Sequence, residues 1–159
     1  MIYIGINNGV SGSMGIITEL DSFFYLMPVK KELSYTKKKQ FVSRIDGVEL
    51  KKILQRFILS PTIALERPMV NPGRFKATQS AMRALEAVLI VIELLEIPYR
   101  YIDSKEWQKV LLPIGLKGDV ELKKASLDIG RRLFPQHANN FKKDADGMLI
   151  AEYLRRNNG

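Results

Sequence analysis

The first part of the chain alternates between short apolar runs and tight polar turns. Residues 2–6, 13–18 and 22–29 are rich in Ile, Phe, Tyr and Met, and only a few residues separate each run from the next. Apolar runs this short, joined by turns that contain Gly, Asn, Asp and Ser, predict three strands in an antiparallel meander. The polar, strongly basic stretch over residues 30–46 has no clear period, and we interpret it as a mobile loop.

The rest of the chain predicts helices that alternate with two further strands. Residues 48–59 have apolar positions at helical spacing, and residues 62–66 form a short apolar strand that ends in a carboxylate. We then expect a long helix over 75–96, a strand over 99–103, and helices over 104–112, 118–134 and 144–156. Three antiparallel strands followed by two strands reached through helical crossovers predict an α/β fold, with a mixed five-stranded sheet flanked by helices.

Composition limits the class of protein. The chain has 159 residues, of which 46% are hydrophobic, and this suits one domain spanning residues 1–159. It has no cysteine, which excludes disulfides and Cys-ligated zinc sites. The longest apolar stretch, AVLIVIELLEI, is too short to span a bilayer, and the first residues form a strand pattern rather than a leader. We therefore expect a soluble cytoplasmic protein that does not bind membranes.

The net charge suggests a class of partner. Lys and Arg number 25 against 17 Asp and Glu, which gives a formal charge of +8. A basic domain of this size suits a polyanion such as nucleic acid. Charge alone leaves open a small basic protein that has no specific partner.

Acidic side chains are expected to meet at one end of the sheet. Glu66 ends a strand, and Asp144 and Asp146 stand around the start of the last helix, so they should approach the end of strand one at Asn7. Clustered carboxylates can hold two Mg²⁺ ions about 4 Å apart, an arrangement that cuts phosphodiesters. Taken alone, Asn7 and Asn8 also fit a hairpin turn, and the two aspartates also fit a helix N-terminus.

Three stretches of the sequence resemble one known family. They are GINNGVSGSMGII, IALERPMVNPGRFKATQSAMRALEAVL and KKDADGMLIAEYLRR, and in order and spacing they look like the three motif regions of RuvC-type Holliday junction resolvases, particularly the phage-encoded branch. The resemblance covers nearly the whole chain and implies a ribonuclease H-like fold. It also implies a homodimeric endonuclease of DNA recombination and repair that nicks four-way junctions in pairs. Two Mg²⁺ ions per active site are implied, with Mn²⁺ as an alternative, and so is a cytoplasmic location in a phage-infected bacterial cell.

The resemblance implies a set of catalytic and metal-binding residues. Glu66 matches the family's second acidic residue, and Asp146 matches its last. Asp144 stands close to the position of the family's third acidic residue, although the spacing of the bacterial members places Lys143 there. The family has an aspartate where this chain has Asn7, so Asn7 is implied to replace a catalytic metal ligand. An amide keeps the shape of the carboxylate but loses its charge and adds a donor. Engineered inactivation would explain why the other acids remain, although the sequence does not exclude natural loss.

The resemblance also implies contacts to DNA. Lys124 resembles the family's basic residue that contacts the scissile phosphate. Lys109 and Lys123 are weaker candidates for the same contact. Met69 or Phe75 is the candidate for an apolar wedge at the junction centre, although Phe75 also fits a core contact at a helix start. The other expected DNA contacts are Lys37, Lys38, Lys39, Arg67, Arg74 and Lys76.

Three alternatives stay open at this point. The chain could be a non-catalytic protein that binds branched DNA, or a related nuclease of the same fold that acts on flaps. It could also be an actin-like phosphotransferase fragment in which NNGVSGS cradles phosphate, although a second nucleotide lobe does not fit into 159 residues. The helix over 75–96 is the candidate dimer interface, because its second half is apolar almost all round. Trp107 is expected in the core, and His137 has no part in the mechanism.

Overall fold

A five-stranded mixed sheet lies at the centre of the computed structural model, which describes residues 1–158. The strands are β1 Ile2–Asn7, β2 Ser13–Ile17, β3 Ser22–Leu26, β4 Val29–Leu33, β5 Phe41–Ile45, β6 Pro61–Glu66 and β7 Tyr99–Ile102. The α-helices are α1 Gly47–Gln55, α2 Phe75–Leu94, α3 Ser104–Leu111, α4 Gly118–Leu133 and α5 Asp146–Asn158. Short 3₁₀ turns cover Pro72–Arg74 and Pro135–His137.

The strand order in the central sheet is β3-β2-β1-β6-β7. β1 pairs antiparallel with β2, and β2 with β3, whereas β1 and β6 are parallel, as are β6 and β7. This confirms the expected sheet of three antiparallel strands followed by two parallel ones. β1 occupies the middle, so its end is flanked by the ends of strands on both sides.

Apolar side chains cover both faces of the sheet because the strands alternate. In β1, Ile4 and Ile6 are fully buried on the face covered by α1 and α2. The opposite face packs on a second buried cluster, which includes Trp107 in α3, Ala125 in α4 and Leu149 in α5. The strand period of two therefore places Gly5 and Asn7 on the face that α3, α4 and α5 cover.

Three glycines allow α5 to lie directly on the sheet. Gly5 and Gly15 are paired across β1 and β2. A Cβ atom at Gly5 would lie 2.2 Å from the main-chain nitrogen of Ala151, and one at Gly15 would lie 2.3 Å from the Cα of Met148. A Cβ at Gly147 would likewise lie 2.6 Å from main-chain atoms of Ser13. The main chain of α5 thus contacts the main chain of the two strands, and no side chain separates them.

The basic stretch after β3 is a β-hairpin, so the prediction of a mobile loop over residues 30–46 is wrong. β4 and β5 form their own two-stranded antiparallel sheet, in which Lys30 faces Arg44 and Leu33 faces Phe41. Glu32 forms ion pairs with Lys30 and Arg44, and these pairs offset part of the repulsion between the basic side chains. The strands were missed because Lys and Glu, which have low strand propensity, fill three of the five positions of β4.

The long helix α2 is apolar on more than its core face. Val88 and Ile92 are fully buried against the sheet, whereas Ile90 is 49% exposed and Leu94 is 69% exposed. The sheet therefore covers one side as expected, and a partner subunit on the other side stays a prediction. Within residues 1–158, no helix combines the length and the apolarity that crossing a membrane requires.

Candidate active site

Two neighbouring strands and one helix bring the acidic residues together. Ile6 of β1 is paired with Leu65 of β6, so Asn7 and Glu66 follow at adjacent strand ends. α5 begins at Asp146, and the close contact of this helix with β1 and β2 brings its first turn to the same end of the sheet. A main-chain N–H at Gly147 donates to the Ser13 hydroxyl at 3.0 Å and fixes this approach.

Asp146 is the centre of the resulting polar network. Its Oδ2 accepts a hydrogen bond from Asn7 Nδ2 at 3.0 Å and another from the Lys123 ammonium. Its Oδ1 accepts from the Ser126 hydroxyl at 2.5 Å. The carboxylate is buried, so these three donors replace the hydration that it loses on folding.

Asp144 fits both of the interpretations that its sequence context allows. Its Oδ1 accepts from the main-chain N–H of Asp146 at 3.1 Å, as a helix-capping residue does. Its Oδ2 is buried and accepts no hydrogen bond of good geometry, although Lys123 Nζ lies 3.1 Å away as an ionic partner. One oxygen of Asp144 is therefore used in the fold, and the other is left for a cation.

Burial shifts the titration of the acidic groups. It raises the pKa of Glu66 to about 7, while a hydrogen bond at 3.2 Å from the Trp107 indole N–H to Glu66 Oε1 acts in the opposite direction. Burial also raises the pKa of Asp146, and the charge of Asp144 adds to this effect. Burial lowers the pKa of Lys123, but the charges of Asp146 and Asp144 outweigh this, so its pKa is raised. The site therefore holds more buried negative charge than one ammonium group balances.

The donor set fits a hard divalent cation such as Mg²⁺. Glu66, Asp144 and Asp146 supply carboxylate oxygens, which Mg²⁺ prefers, and Asp144 Oδ2 has no hydrogen-bond donor. No three or more His, Cys, Asp or Glu side chains among residues 1–158 are already gathered as a metal site. The Lys123 ammonium forms ion pairs with both aspartates, and Asn7 presents an amide donor to Asp146.

The structure places Lys123, and not Lys124, beside the aspartates. Lys124 is exposed and lies beside Asp128 and Arg132, away from the acids, whereas Lys123 contacts both aspartates. Successive helical residues are about 100° apart, so only one of the two neighbouring lysines can face the site. Ser126 was missed entirely. It lies three residues after Lys123, on the same side of the helix. This spacing could have identified both residues as neighbours of the aspartates.

A cleft of about 500 Å³ opens at the site, and Glu66 and Asp146 are among its lining residues. Of the residues predicted to contact DNA, Arg67, Met69, Arg74 and Lys123 line it. Arg67 also forms an ion pair with Asp103 at 2.8 Å. Met69 is 80% exposed, so it is free to meet a ligand in the cleft.

The remaining predicted DNA contacts lie outside the cleft lining. Phe75 is 72% exposed at the start of α2, which excludes a core contact for it, and Lys76 follows it on the surface. Lys109 is exposed on α3, and Lys37, Lys38 and Lys39 lie in the connection between β4 and β5.

Trp107 contacts the acidic site, whereas His137 lies in another part of the fold. Trp107 is fully buried, as expected, but its hydrogen bond to Glu66 also connects the core to the site, which the sequence did not indicate. His137 bonds to Ser22 at 3.0 Å, among residues that do not line the acidic cleft. It therefore has a structural partner on another part of the molecule.

The comparisons with known proteins support the fold. No protein-family model matches the sequence, and no curated protein matches it. A structure described as Thermus thermophilus RuvC in complex with a Holliday junction substrate matches 98% of this chain and 95% of its own, with 15% identity and a TM-score of 0.64. A second structure, Thermus thermophilus RuvC, matches 99% of this chain and 97% of its own, with 17% identity and a TM-score of 0.58. The chain therefore has a RuvC-like fold of the ribonuclease H type.

Proposed function

We propose that this chain belongs to a structure-selective DNA endonuclease that resolves four-way junctions, and that Asn7 reduces or abolishes its activity. The observation that carries this proposal is the buried group of Glu66, Asp144 and Asp146 at the central strand ends of a RuvC-like sheet. One of the similar structures is RuvC bound to a Holliday junction substrate. The net charge of +8 and the arginines on the cleft rim suit a DNA backbone.

The residues of the chain divide into metal-holding and phosphate-holding groups. Glu66, Asp144 and Asp146 would hold Mg²⁺, and the bound metal would supply an activated water and stabilise the leaving oxygen. Arg67 and Arg74, on the rim of the cleft, would hold phosphates that flank the cut. The Lys123 ammonium forms ion pairs with both aspartates. In the complex with DNA and metal, it would contact the scissile phosphate.

Asn7 would weaken metal binding through both of its changes. An aspartate at this position would add a charged oxygen ligand beside Asp146, whereas the amide points an N–H donor at that carboxylate. The Asn7 amide and the Lys123 ammonium together satisfy Asp146 Oδ2 in the absence of metal. A metal ion would therefore have to displace contacts that are already good.

The second copy in a homodimer would bind the exposed apolar side of α2. Ile90 and Leu94 are both about half exposed or more, and Met82 is 44% exposed on the same helix. Two copies related by a twofold axis would present two sites to the symmetric strands of a four-way junction. This arrangement is what paired nicking requires.

The test is cleavage of a labelled four-way junction in Mg²⁺ by the chain with Asn7 and by Asn7→Asp. Asn8→Asp is the matched control, because Asn8 lies next in the chain but donates to the Ala81 carbonyl at 3.2 Å instead of to an acid. Linear duplex and flap substrates run in parallel. The proposal requires that Asn7→Asp alone makes paired symmetric nicks in the junction.

A non-catalytic branched-DNA binding protein is the second candidate. The complete hydrogen bonding of Asp146 without a metal favours it, because such a site is stable as it stands. This candidate replaces the first if Asn7→Asp cuts nothing while both chains bind junctions tightly in EDTA. Preferential cutting of flaps by Asn7→Asp would instead assign the related flap nuclease.

A further inference from the structure

The β4–β5 hairpin carries most of the excess positive charge of the molecule. Residues 29–45 contain six Lys or Arg and one Glu, a net charge of +5 out of +8 for the chain. Apart from Glu32, which pairs with Lys30 and Arg44, no acid lies in this segment. A polyanion is therefore the partner that its charge favours.

One face of the hairpin is also apolar and exposed. Leu33 and Phe41 are directly opposite each other, so their side chains share one face, and they are 61% and 71% exposed. Tyr35, in the connection after β4, is 78% exposed, with the Arg83 guanidinium 5.9 Å from its ring centre. Large apolar groups in a strongly basic segment contribute little to the fold, because their area stays in water.

The hairpin lies beside the acidic cleft. Arg83, Ala84 and Ala87 of α2 line the groove under the hairpin, whereas Ala77 and Ala81 of the same helix line the acidic cleft. The two features therefore occupy adjacent faces of the first half of α2. A nucleic acid that occupies the cleft can continue onto the hairpin without leaving the surface of this helix.

We propose that the hairpin binds an unpaired DNA segment next to the branch point, with Phe41 and Tyr35 stacking on bases and the lysines contacting phosphates. Exposed aromatic rings among lysines are the combination that holds single-stranded nucleic acid. A perfect duplex covers the faces of its bases, so it would meet the lysines but gain nothing from the rings. The inference rests on the proposed function, because it assigns the kind of DNA that the same protein prefers.

The test compares binding to two DNAs of equal charge in EDTA, by fluorescence anisotropy. One is a branched DNA with an unpaired arm that carries 2-aminopurine, and the other is a linear duplex. Phe41→Ala should weaken binding to the unpaired-arm DNA by roughly 5- to 150-fold and restore 2-aminopurine emission, with less than about a twofold effect on duplex. Phe41→Trp should keep both properties. Leu59→Ala is the control, because Leu59 is 81% exposed between α1 and β6, away from the hairpin.

Several outcomes would overturn the inference. One is an equal loss on both DNAs, and another is no loss on either by Phe41→Ala with an unchanged circular dichroism spectrum. A shift of Phe41→Ala to a smaller oligomer by light scattering would assign the hairpin to a second copy of the chain instead. If the unpaired-arm preference depends on Phe41 but Asn7→Asp cuts nothing, the inference stands and the proposed nuclease function falls.

Discussion

Replacing Glu66 with glutamine should stabilise the metal-free protein above pH 7 and leave it unchanged near pH 4.5. Burial raises the pKa of this carboxyl from its ordinary 4.5 to about 7 in the folded protein. The stability that comes from the neutral form is thus fully present below pH 4.5 and is lost as the pH rises through 7. The difference between the two pKa values corresponds to about 3 kcal/mol of folding free energy at pH 8.

Glutamine removes this penalty and preserves the local contact. Its amide oxygen can still accept the hydrogen bond that the Trp107 indole donates to Glu66 Oε1. At pH 8, Glu66→Gln should therefore raise the free energy of unfolding by about 3 kcal/mol, or the melting temperature by roughly 6–12 °C for a chain of this size. In the Asn7→Asp background, excess Mg²⁺ should shrink this difference, because the metal would stabilise the chain that keeps its carboxylate more than the glutamine variant.

The assay is urea unfolding in EDTA at pH 4.5, 6, 7 and 8, with the exposed Glu86→Gln as the control. The control should show no gain that grows with pH. An equal or lower stability of Glu66→Gln at pH 8, or a gain of the same size at every pH, would refute the argument that the carboxyl is held in a destabilising environment.

Three further results are expected from single substitutions. Gly15→Ala should lower the free energy of unfolding in urea by about 3 kcal/mol or more, because the new Cβ would lie 2.3 Å from the Cα of Met148. Gly47→Ala is the control and should lower it much less, because the nearest atom there is a side-chain carbon at 3.6 Å. In the Asn7→Asp background, Trp107→Phe should raise the Mg²⁺ concentration needed for half-maximal cleavage roughly 10-fold or more and leave junction binding in EDTA unchanged. The reason is that Glu66, proposed to hold the metal, loses the donor that orients it. An unchanged Mg²⁺ requirement would contradict this. Lys123→Gln should lower the melting temperature of the metal-free protein at pH 8, because two buried aspartates lose their counter-charge. The Lys123 side chain is 41% exposed, so we expect a decrease of only roughly 2–6 °C. Lys124→Gln should cause no such decrease, and equal effects of the two would show that the ion pairs are not stabilising.

The strand order and the position of the acids were predictable because they follow from local patterns. Short apolar runs with tight turns gave the meander, and helical crossovers gave the parallel pairs. A carboxylate at the end of β6 and two more around the start of α5 must meet when these elements flank β1. Periodicity and chain connectivity were sufficient for both results.

The hairpin and the choice of lysine could not be predicted in the same way. β4 and β5 are held by cross-strand pairing, including the ion pairs of Glu32. Neither strand has the alternation of apolar and polar residues that would mark it in the sequence. Lys123 and Lys124 have the same chemistry, and only the rotation of α4 against α5 decides which one meets the aspartates. Both features depend on tertiary contacts between segments that are distant along the chain or on separate elements.

The contact of α5 with the paired glycines also bears on how distant relatives of this protein can be recognised. Main-chain atoms set the spacing between the helix and the sheet at Gly5, Gly15 and Gly147, so the surrounding apolar side chains can be exchanged without moving the acid at the start of the helix. An acid can be lost from such a protein while the fold persists, whereas a side chain at one of these glycines would force the two layers apart. The packing of the helix on the sheet therefore depends on these three glycines more than on the acids of the site.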